Sequence, residues 1–398
     1  MESHHYTPFN EISSRIEKFQ QKLSAENCNG ALITQHTDLF YFTGTSQNGY
    51  LFIPCDKEPV LMIRKSFQRA KKESPLKNIV ELKSMKLLPE IIKEAGHSDF
   101  KNIGLELDVL PYNICTFLMK IFNKSKFTDI SSIIKDIRTI KSDHEIQLLE
   151  HSCSVLDKAF EKVPEMLKVN MTEIELASLF EAQMRKRGYS GCCQLRSFDQ
   201  DFFMGNLVSG KNGVVPTFFD GPVGGAGVSP ANNPHGAGWG KINKNDIIYI
   251  DYTCVVNGYT ADATRMFCIG KPAKKIIEAH KAALMIQKEI VKIIKPQIKC
   301  ADIYEKAMLL AAETGFGNHF MGTGCDQVKF IGHGVGLELD EPPVFAKNFT
   351  IKIEPKMTFA IEPKFVLPEG AVGTENTYVM ESEAPRVLTR ATEEIICV

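Results

Sequence analysis

The chain has 398 residues, 43% hydrophobic and 24% charged, which is the composition of an ordinary globular protein long enough for two domains. Its formal net charge of −1 offers no bulk attraction to nucleic acid or to an anionic membrane, so neither partner is expected. No apolar run approaches the roughly 20 residues of a membrane span, and residues 1–13 are too polar for a signal peptide. The 11 cysteines lack any C-x-x-C spacing, which favours reduced thiols in a cytoplasmic protein.

The first part of the chain predicts an α/β domain over residues 1–140. Apolar residues at helical spacing predict a helix over residues 11–24. The aromatic run Asp38–Gly44 ends at a glycine and predicts a strand followed by a turn. Short β-like runs predict further strands over residues 31–34, 50–54 and 59–64. Helix and strand patterns then alternate to the end of this domain.

Two capping boxes begin the second domain, which is predicted to span residues 141–398. Ser142 with Glu145 starts a helix through about Leu167, and Thr172 with Glu175 starts another that stops at Gly188. The segment from Gly210 to Gly240 is rich in glycine, proline and asparagine and predicts a long functional loop. Further predicted elements are a helix from Pro272 to about Ile294, a helix over Asp302–Thr314, and β structure over Phe330–Val398.

A predicted hairpin between residues 246 and 265 carries two aspartates. Asn257-Gly258 between strand-like runs predicts a two-residue turn, which pairs Val256 with Tyr259. In that register Asp251 and Asp262 share one face as diagonal neighbours about 7–8 Å apart. Two carboxylates among apolar strand residues repel each other and resist burial, and a cation between them removes both problems. The alternative is an edge hairpin with both aspartates in solvent.

Three more candidate ligands follow towards the C-terminus. His333 lies between glycines, which permit close approach of a backbone or a ligand. Glu362 projects from the small-residue face of a predicted strand, and Glu375 belongs to a second strand-like run. The loop between them leaves their register open, and solvated surface glutamates are the alternative reading.

The order Asp251, Asp262, His333, Glu362, Glu375 resembles the pita-bread metallopeptidase family, which includes aminopeptidase P, prolidase and creatinase-like proteins. The resemblance extends to residues 15–44 and to the run 137–146, which is similar to the family's junction between domains. It implies an α/β creatinase-like N-terminal domain followed by an α+β pita-bread catalytic domain. It further implies that the five residues bind two divalent ions, with Mn, Co, Zn and Fe suited to such ligands.

The activity that the resemblance implies is hydrolysis of the N-terminal bond of short peptides, mainly Xaa-Pro, by a metal-bridging hydroxide in a homodimer. Glu362 would shuttle a proton, and His235 and His333 would lie beside the developing oxyanion. Asp340 stands where the family's prolidases carry a second histidine, and no arginine precedes Glu375, so strict prolidase specificity is in question. Arg64 is a candidate carboxylate anchor, although a surface charge at a strand end is the simpler reading.

Two other functions stay open at this stage. One is a non-peptidase hydrolase of a small amide or modified amino acid on the same scaffold, which the change at Asp340 favours. The other is a non-catalytic peptide- or protein-binding module, although such relatives typically lose ligands and this chain keeps five. Adjacent Cys192 and Cys193 are expected to be buried small residues. The glycine-rich run Gly221–Gly227 is expected to border the cleft and lacks the context of a phosphate loop.

Overall fold

The computed structural model describes residues 6–97, 101–196, 204–231 and 234–398. The chain divides into two compact units, Met1–Arg138 and Thr139–Val398. Within the described ranges, no helix is both long and apolar enough to cross a membrane.

The first unit is a mixed sheet with helices packed on it. Its described strands are β1 (Gly30–Ile33), β2 (Gly49–Pro54), β3 (Val60–Ile63), β4 (Ile79–Glu81), β5 (Asn102–Leu105) and β6 (Lys126–Asp129). Its described helices are α1 (Phe9–Ala25), α2 (His36–Thr43), α3 (Phe67–Glu73), α4 (Leu88–Glu94), α5 (Tyr112–Ile121) and α6 (Ser131–Thr139). The strands lie in the order β4-β3-β2-β1-β5-β6, and β2 is antiparallel to both of its neighbours, β1 and β3.

One element of this unit differs from its prediction. The strand predicted over residues 38–44 is wrong, because these residues belong to α2. The side chain of Gln35 accepts a hydrogen bond from the Asp38 N–H, and Gly44 ends the helix at a φ of 74°. These two caps outweigh the β preference of the aromatic run, whose Phe42 packs against Phe19 of α1. The predicted helix over residues 11–24 and the strand pair that became β2 and β3 are confirmed.

The second unit combines helices with largely antiparallel sheets. Its described helices are α7 (Asp143–Phe160), α8 (Val163–Met166), α9 (Glu173–Arg185), α10 (Lys274–Ile293) and α11 (Cys300–Glu313). Its described strands are β7 (Gly205–Ser209), β8 (Ile247–Val256), β9 (Tyr259–Cys268), β10 (Phe330–Val335), β11 (Leu339–Ala346), β12 (Thr358–Ile361), β13 (Lys364–Leu367), β14 (Gly370–Gly373), β15 (Asn376–Met380), β16 (Pro385–Val387) and β17 (Ile396–Cys397). They form sheets ordered β11-β10-β12-β15-β16, β17-β9-β8-β7 and β13-β14.

The helices of this unit follow their predicted starts more closely than their predicted ends. Both capping boxes are present, with Ser142 and Thr172 as the N-caps of α7 and α9. α7 ends at Phe160 rather than near residue 167, and Pro164 lies at the start of the separate helix α8. The apolar faces of α10 and α11 pack against the sheets in the main core of this unit.

The hairpin of β8 and β9 has the predicted register. Val256 pairs with Tyr259, and Asp251 pairs with Thr264. Asn257 and Gly258 adopt φ values of 53° and 88°, as a turn with two left-handed residues requires. The short-range turn signal therefore fixes which face of a long, buried hairpin carries the two aspartates.

Glu173, in the first turn of α9, holds the long glycine-rich segment at both ends. Its carboxylate accepts hydrogen bonds from the Ser209 N–H at 2.7 Å, the Asn212 Nδ2 at 2.6 Å and the Gly238 N–H at 3.1 Å. Glu173 is buried, so water could not readily take the place of its carboxylate as the acceptor for these donors. One carboxylate therefore ties the segment's two ends to the helix.

We predict that Glu173→Ala lowers the free energy of unfolding by about 3 kcal/mol, because several buried donors lose a charged acceptor. Glu175→Ala is the matched control on the same helix turn, because Glu175 is exposed and serves only the capping box. Its expected loss is about 1 kcal/mol. Urea denaturation followed by circular dichroism measures both, and equal losses would show that the Glu173 clamp is unimportant.

Candidate metal centre

The two aspartates of the hairpin line one cavity, as their shared face predicts. The Tyr249 hydroxyl donates to Asp251 Oδ2 at 2.6 Å. The backbone of Asp262 exchanges hydrogen bonds with the Thr377 hydroxyl, at 3.0 Å from its N–H and 2.8 Å to its carbonyl. Asp251 is partly buried and Asp262 is buried, so the hairpin is not a solvated edge.

Glu362 and Glu375 face each other across two strands, a relation that the sequence left open. β12 pairs with β15 so that Ile361 lies opposite Asn376, and β13 pairs with β14 so that Lys364 lies opposite Gly373. The same register applies on both sides of the glutamates, which places Glu362 opposite Glu375. Both side chains are buried, which excludes the reading as solvated surface glutamates.

His333 reaches the same place from β10. Its neighbour Gly334 is required, because a Cβ there would lie 2.3 Å from the Pro342 carbonyl oxygen. His333 Nδ1 lies 3.2 Å from the Gly334 carbonyl oxygen and 3.3 Å from Asp340 Oδ1. With Nδ1 directed to these acceptors, Nε2 is the nitrogen that faces the carboxylates, as in histidines that bind metals.

The spacing of these groups suits one divalent ion. His333 Nε2 lies 3.7 Å from Asp262 Oδ2, 3.6 Å from Glu362 Oε1 and 3.9 Å from Glu375 Oε1. Ligand atoms of Asp262, His333 and Glu375 all lie within 4.8 Å of one another. Two atoms that each bind an ion at about 2.1 Å are separated by at most about 4.2 Å, so the three separations from His333 Nε2 accommodate a shared ion.

A residue that the sequence analysis missed, Lys364, lies among the other carboxylate oxygens. Its Nζ is 2.8 Å from Asp251 Oδ2, 2.7 Å from Glu362 Oε2 and 2.9 Å from Glu375 Oε2. The signal was available, because Lys364 follows Glu362 by two residues and side chains two apart on a strand share a face. These contacts disfavour the second of the two predicted ions, since an ammonium group already lies between its expected ligands.

The electrostatics show where positive charge is missing. Burial would raise the pKa of Asp251, but the Lys364 ammonium lowers it below its ordinary value. Burial and the neighbouring carboxylates Glu375 and Asp251 raise the pKa of Asp262 well above its ordinary value. Burial likewise raises the pKa of Glu375 to about 8. The Asp262 side of the cluster is therefore short of a cation, which fits an ion between Asp262, His333 and Glu375.

Buried Arg265 orients Glu375 and was not among the predicted site residues. Its guanidinium donates to the Glu375 carbonyl oxygen at 2.7 Å and to Asn376 Oδ1 at 2.7 Å. The Thr264 hydroxyl donates to Glu375 Oε2 at 2.8 Å. Neighbours on β9 thus fix both the backbone and the carboxylate of Glu375, as supporting residues do around metal ligands.

His235 lines the same cavity as the five candidate ligands. Its Nδ1 lies 3.1 Å from the Thr217 hydroxyl oxygen, and its ring packs against Phe219 at 5.2 Å between centroids. Burial lowers the pKa of His235 to about 4, so the imidazole is neutral at neutral pH. With Nδ1 engaged by Thr217, Nε2 is the nitrogen available to a ligand in the cavity.

The other predicted features are Arg64, the adjacent cysteines and the glycine-rich run. Arg64 is exposed directly after β3, in the first unit, as the simpler reading expects. Cys193 is buried and burial raises its thiol pKa, but Cys192 is exposed, so the expectation of two buried cysteines is half wrong. The expectation that the glycine-rich run borders the cleft is confirmed, since Gly221 lines the cavity.

Two family models match the chain. The model of metallopeptidase family M24 matches residues 147–382, and that of the creatinase/prolidase N-terminal domain matches residues 15–140. A Xaa-Pro dipeptidase of Pyrococcus furiosus is 26% identical over 389 residues, which are 97% of this chain and 100% of that protein.

Two solved structures are similar to this chain along nearly its whole length. The prolidase of Pyrococcus horikoshii has a TM-score of 0.80 at 26% identity, covering 96% of this chain and 100% of that one. A Xaa-Pro dipeptidase of Bacillus anthracis has a TM-score of 0.82 at 24% identity, covering 97% and 100%, which shows the common fold. Together these matches confirm the predicted fold class, an α/β N-terminal domain followed by an α+β pita-bread domain.

We predict a pH effect on stability from His235. Its pKa falls from 6.5 to about 4 on folding, so between these values the unfolded chain binds more protons than the folded chain. The resulting stability is fully present above pH 6.5 and is lost as the pH falls towards 4, by about 2 kcal/mol after allowance for partial exposure.

His235→Gln removes this titration and should lose less stability than the wild type over the same interval. Urea unfolding at pH 6.5, 5.5 and 4.5 measures the difference. Parallel pH profiles for the two proteins would contradict the assignment of a buried, neutral imidazole.

Proposed function

Because the chain belongs to metallopeptidase family M24, we propose that it hydrolyses the N-terminal bond of short peptides whose second residue is proline. The family membership confirms the predicted metallopeptidase class. Support for the Xaa-Pro substrate comes from relatives that are named as Xaa-Pro dipeptidases and match along nearly the whole chain.

The observation that carries this proposal is the convergence of Asp262, His333 and Glu375 at the cavity. Together with Glu362 they would hold a divalent ion, and the oxygen and imidazole ligands suit Mn, Co, Zn or Fe. Such an ion supplies a Lewis acid for the scissile carbonyl and lowers the pKa of a bound water. The second predicted ion, with Asp251 among its ligands, stays a prediction that the position of Lys364 disfavours.

This chain's own side chains would bind and orient the peptide and move a proton. Neutral His235 would donate from Nε2 to the scissile carbonyl oxygen, because Thr217 already engages Nδ1. Glu362 would carry the proton between the attacking water and the leaving amine. Lys364 binds Glu362 Oε2. Glu362 Oε1, which lies 3.6 Å from His333 Nε2, is therefore the oxygen that would carry the proton. Ordered donors of this kind act without reorganisation during the reaction.

The cavity favours substrates without a free carboxylate near the scissile bond. Among the described residues that line it, acidic side chains outnumber Lys364, the one ammonium or guanidinium group there. Asp340, which pairs with His333 Nδ1, is 41% exposed and presents a negative charge at this surface. A longer Xaa-Pro peptide is therefore a better substrate than a dipeptide. The same observation keeps a small amide or modified amino acid as the second candidate.

The assembly and location are proposed on more general grounds. The family resemblance supports a homodimer, and sedimentation equilibrium tests it. All 11 cysteines are free thiols, which supports a reducing, cytoplasmic location.

The proposed domain boundaries are residues 1–140 and 141–398. The N-terminal family match, which ends at residue 140, supports them.

We predict that Asp262→Ala lowers kcat/KM for Xaa-Pro peptides by about 1,000-fold or more, because the ion loses a buried ligand and the transition state loses electrostatic stabilisation. The assay uses metal-reconstituted protein with Xaa-Pro dipeptides, longer Xaa-Pro peptides and small amides. Glu369→Ala is the matched control, because this carboxylate lies on the exposed turn between β13 and β14.

Activity that survives in Asp262→Ala would defeat the metal-dependent mechanism. Tight peptide binding by the wild type without hydrolysis would instead support a binding module. Cleavage of the amides alone would support the non-peptidase hydrolase.

We also predict that Asp340→Asn raises kcat/KM for a free Xaa-Pro dipeptide by roughly tenfold, because it removes a repulsion of about 1–2 kcal/mol from the substrate carboxylate. The same dipeptide with an amidated C-terminus is the internal control and should gain little. Equal gains for both substrates would show that Asp340 acts through His333 rather than on the carboxylate.

A further inference from the structure

Two of the glutamate side chains divide their oxygens between two neighbouring positions. Glu362 directs Oε2 to Lys364 Nζ at 2.7 Å and has Oε1 3.6 Å from His333 Nε2. Glu375 directs Oε2 to Lys364 at 2.9 Å and has Oε1 3.9 Å from His333. The two carboxylates therefore bridge two cation positions, and an ammonium group fills one of them.

We infer that this chain holds one divalent ion, between Asp262, His333 and the two glutamates, and that the Lys364 ammonium replaces a second ion. The inference rests on the proposed function, because it takes the cluster to be a metal site. It changes the predicted ion count from two to one. It also gives Lys364 a defined position, as the fixed cation that orients Glu362.

The position of Lys364 is that of a bound cation. Its Nζ lies at 2.7–2.9 Å from one oxygen each of Asp251, Glu362 and Glu375. These are charge-assisted hydrogen-bond distances, whereas the contacts around His333 are longer and leave room for an ion. A divalent ion held by the same three oxygens would lie about 2.0–2.2 Å from each and would collide with the ammonium nitrogen.

The sheet is built to hold this side chain. Lys364 lies opposite Gly373 in the β13–β14 pair, and a Cβ on Gly373 would approach Lys364 Cγ to 2.6 Å. The side chain is 2% exposed, and its Nζ lies 5.8 Å from the centre of the Tyr249 ring. A swing into solvent would leave three carboxylates in a buried site without their counter-charge. The lysine therefore stays in place when the neighbouring position is filled.

The charges agree with one ion. One divalent ion and one ammonium supply three positive charges beside the four carboxylates Asp251, Asp262, Glu362 and Glu375. Two divalent ions with the ammonium retained would place more positive than negative charge among largely buried side chains. Among the described residues that line the cavity, Lys364 is the one lysine or arginine, so no other built-in cation competes for this role.

The test counts ions in the full chain after reconstitution with excess Mn²⁺ and desalting. Plasma mass spectrometry gives the number per chain, and electron paramagnetic resonance distinguishes an isolated Mn²⁺ from an exchange-coupled pair. We expect one ion and an isolated signal for the wild type. For Lys364→Ala we expect two ions and a coupled signal, because three carboxylates then surround an open position.

Lys141→Ala is the matched control. Lys141 is as buried as Lys364, but its ion-pair partner at 3.0 Å is Glu341, which is none of the four carboxylates of the cluster. Its loss should destabilise the protein and leave the count at one. Lys364→Ser, whose hydroxyl can donate to the carboxylates, replaces Lys364→Ala if the alanine variant does not fold.

Two ions in the wild type would overturn the inference and leave the proposed function intact. A count that stays at one in the folded Lys364 variants would overturn the role given to the lysine. No bound ion in the wild type would overturn both the inference and the metal-dependent function. One bound ion without hydrolysis of any Xaa-Pro substrate would overturn the proposed function alone.

Discussion

Mutual repulsion of four carboxylates in a largely buried cavity is the constraint on which the second unit depends. Asp251 and Asp262 come from one hairpin, Glu362 from the junction between β12 and β13, and Glu375 from that between β14 and β15. Ionised carboxylates this close, with little water, are stable only beside positive charge. Each feature of the site either supplies positive charge or holds the carboxylates in place despite their mutual repulsion.

Two cations within the protein meet this demand in part. Lys364 contacts three of the carboxylates directly, and Arg265 donates a hydrogen bond to the backbone carbonyl oxygen of Glu375. Asp262 and Glu375 nevertheless keep pKa values raised by burial and by neighbouring carboxylates. A further cation beside His333 would stabilise the ionised forms of both carboxylates. The shortage of positive charge beside Asp262 and Glu375 supports a metal ion more directly than the residue types of the ligands alone.

Local signals predicted the parts of the site whose geometry is set by a few adjacent residues. Asn257-Gly258 gave the register of the β8–β9 hairpin and hence the shared face of the aspartates. The sequence did not predict that Glu362 faces Glu375, because the turn at Pro368-Glu369 lacks a register-setting pair such as Asn-Gly. The helix α2 was missed because the Gln35 and Gly44 caps outweighed an aromatic strand pattern. Lys364 was visible by strand periodicity, but a lysine is ordinarily a solvated surface charge.

The most direct test of this account is anomalous diffraction from crystals grown with Mn²⁺. We predict one strong peak between Asp262, His333 and Glu375, with Lys364 Nζ still in contact with Asp251. Such a map would show a protein that fills half of a two-cation site with its own side chain. The absence of any peak at the carboxylates, or a second peak where the lysine nitrogen lies, would contradict it.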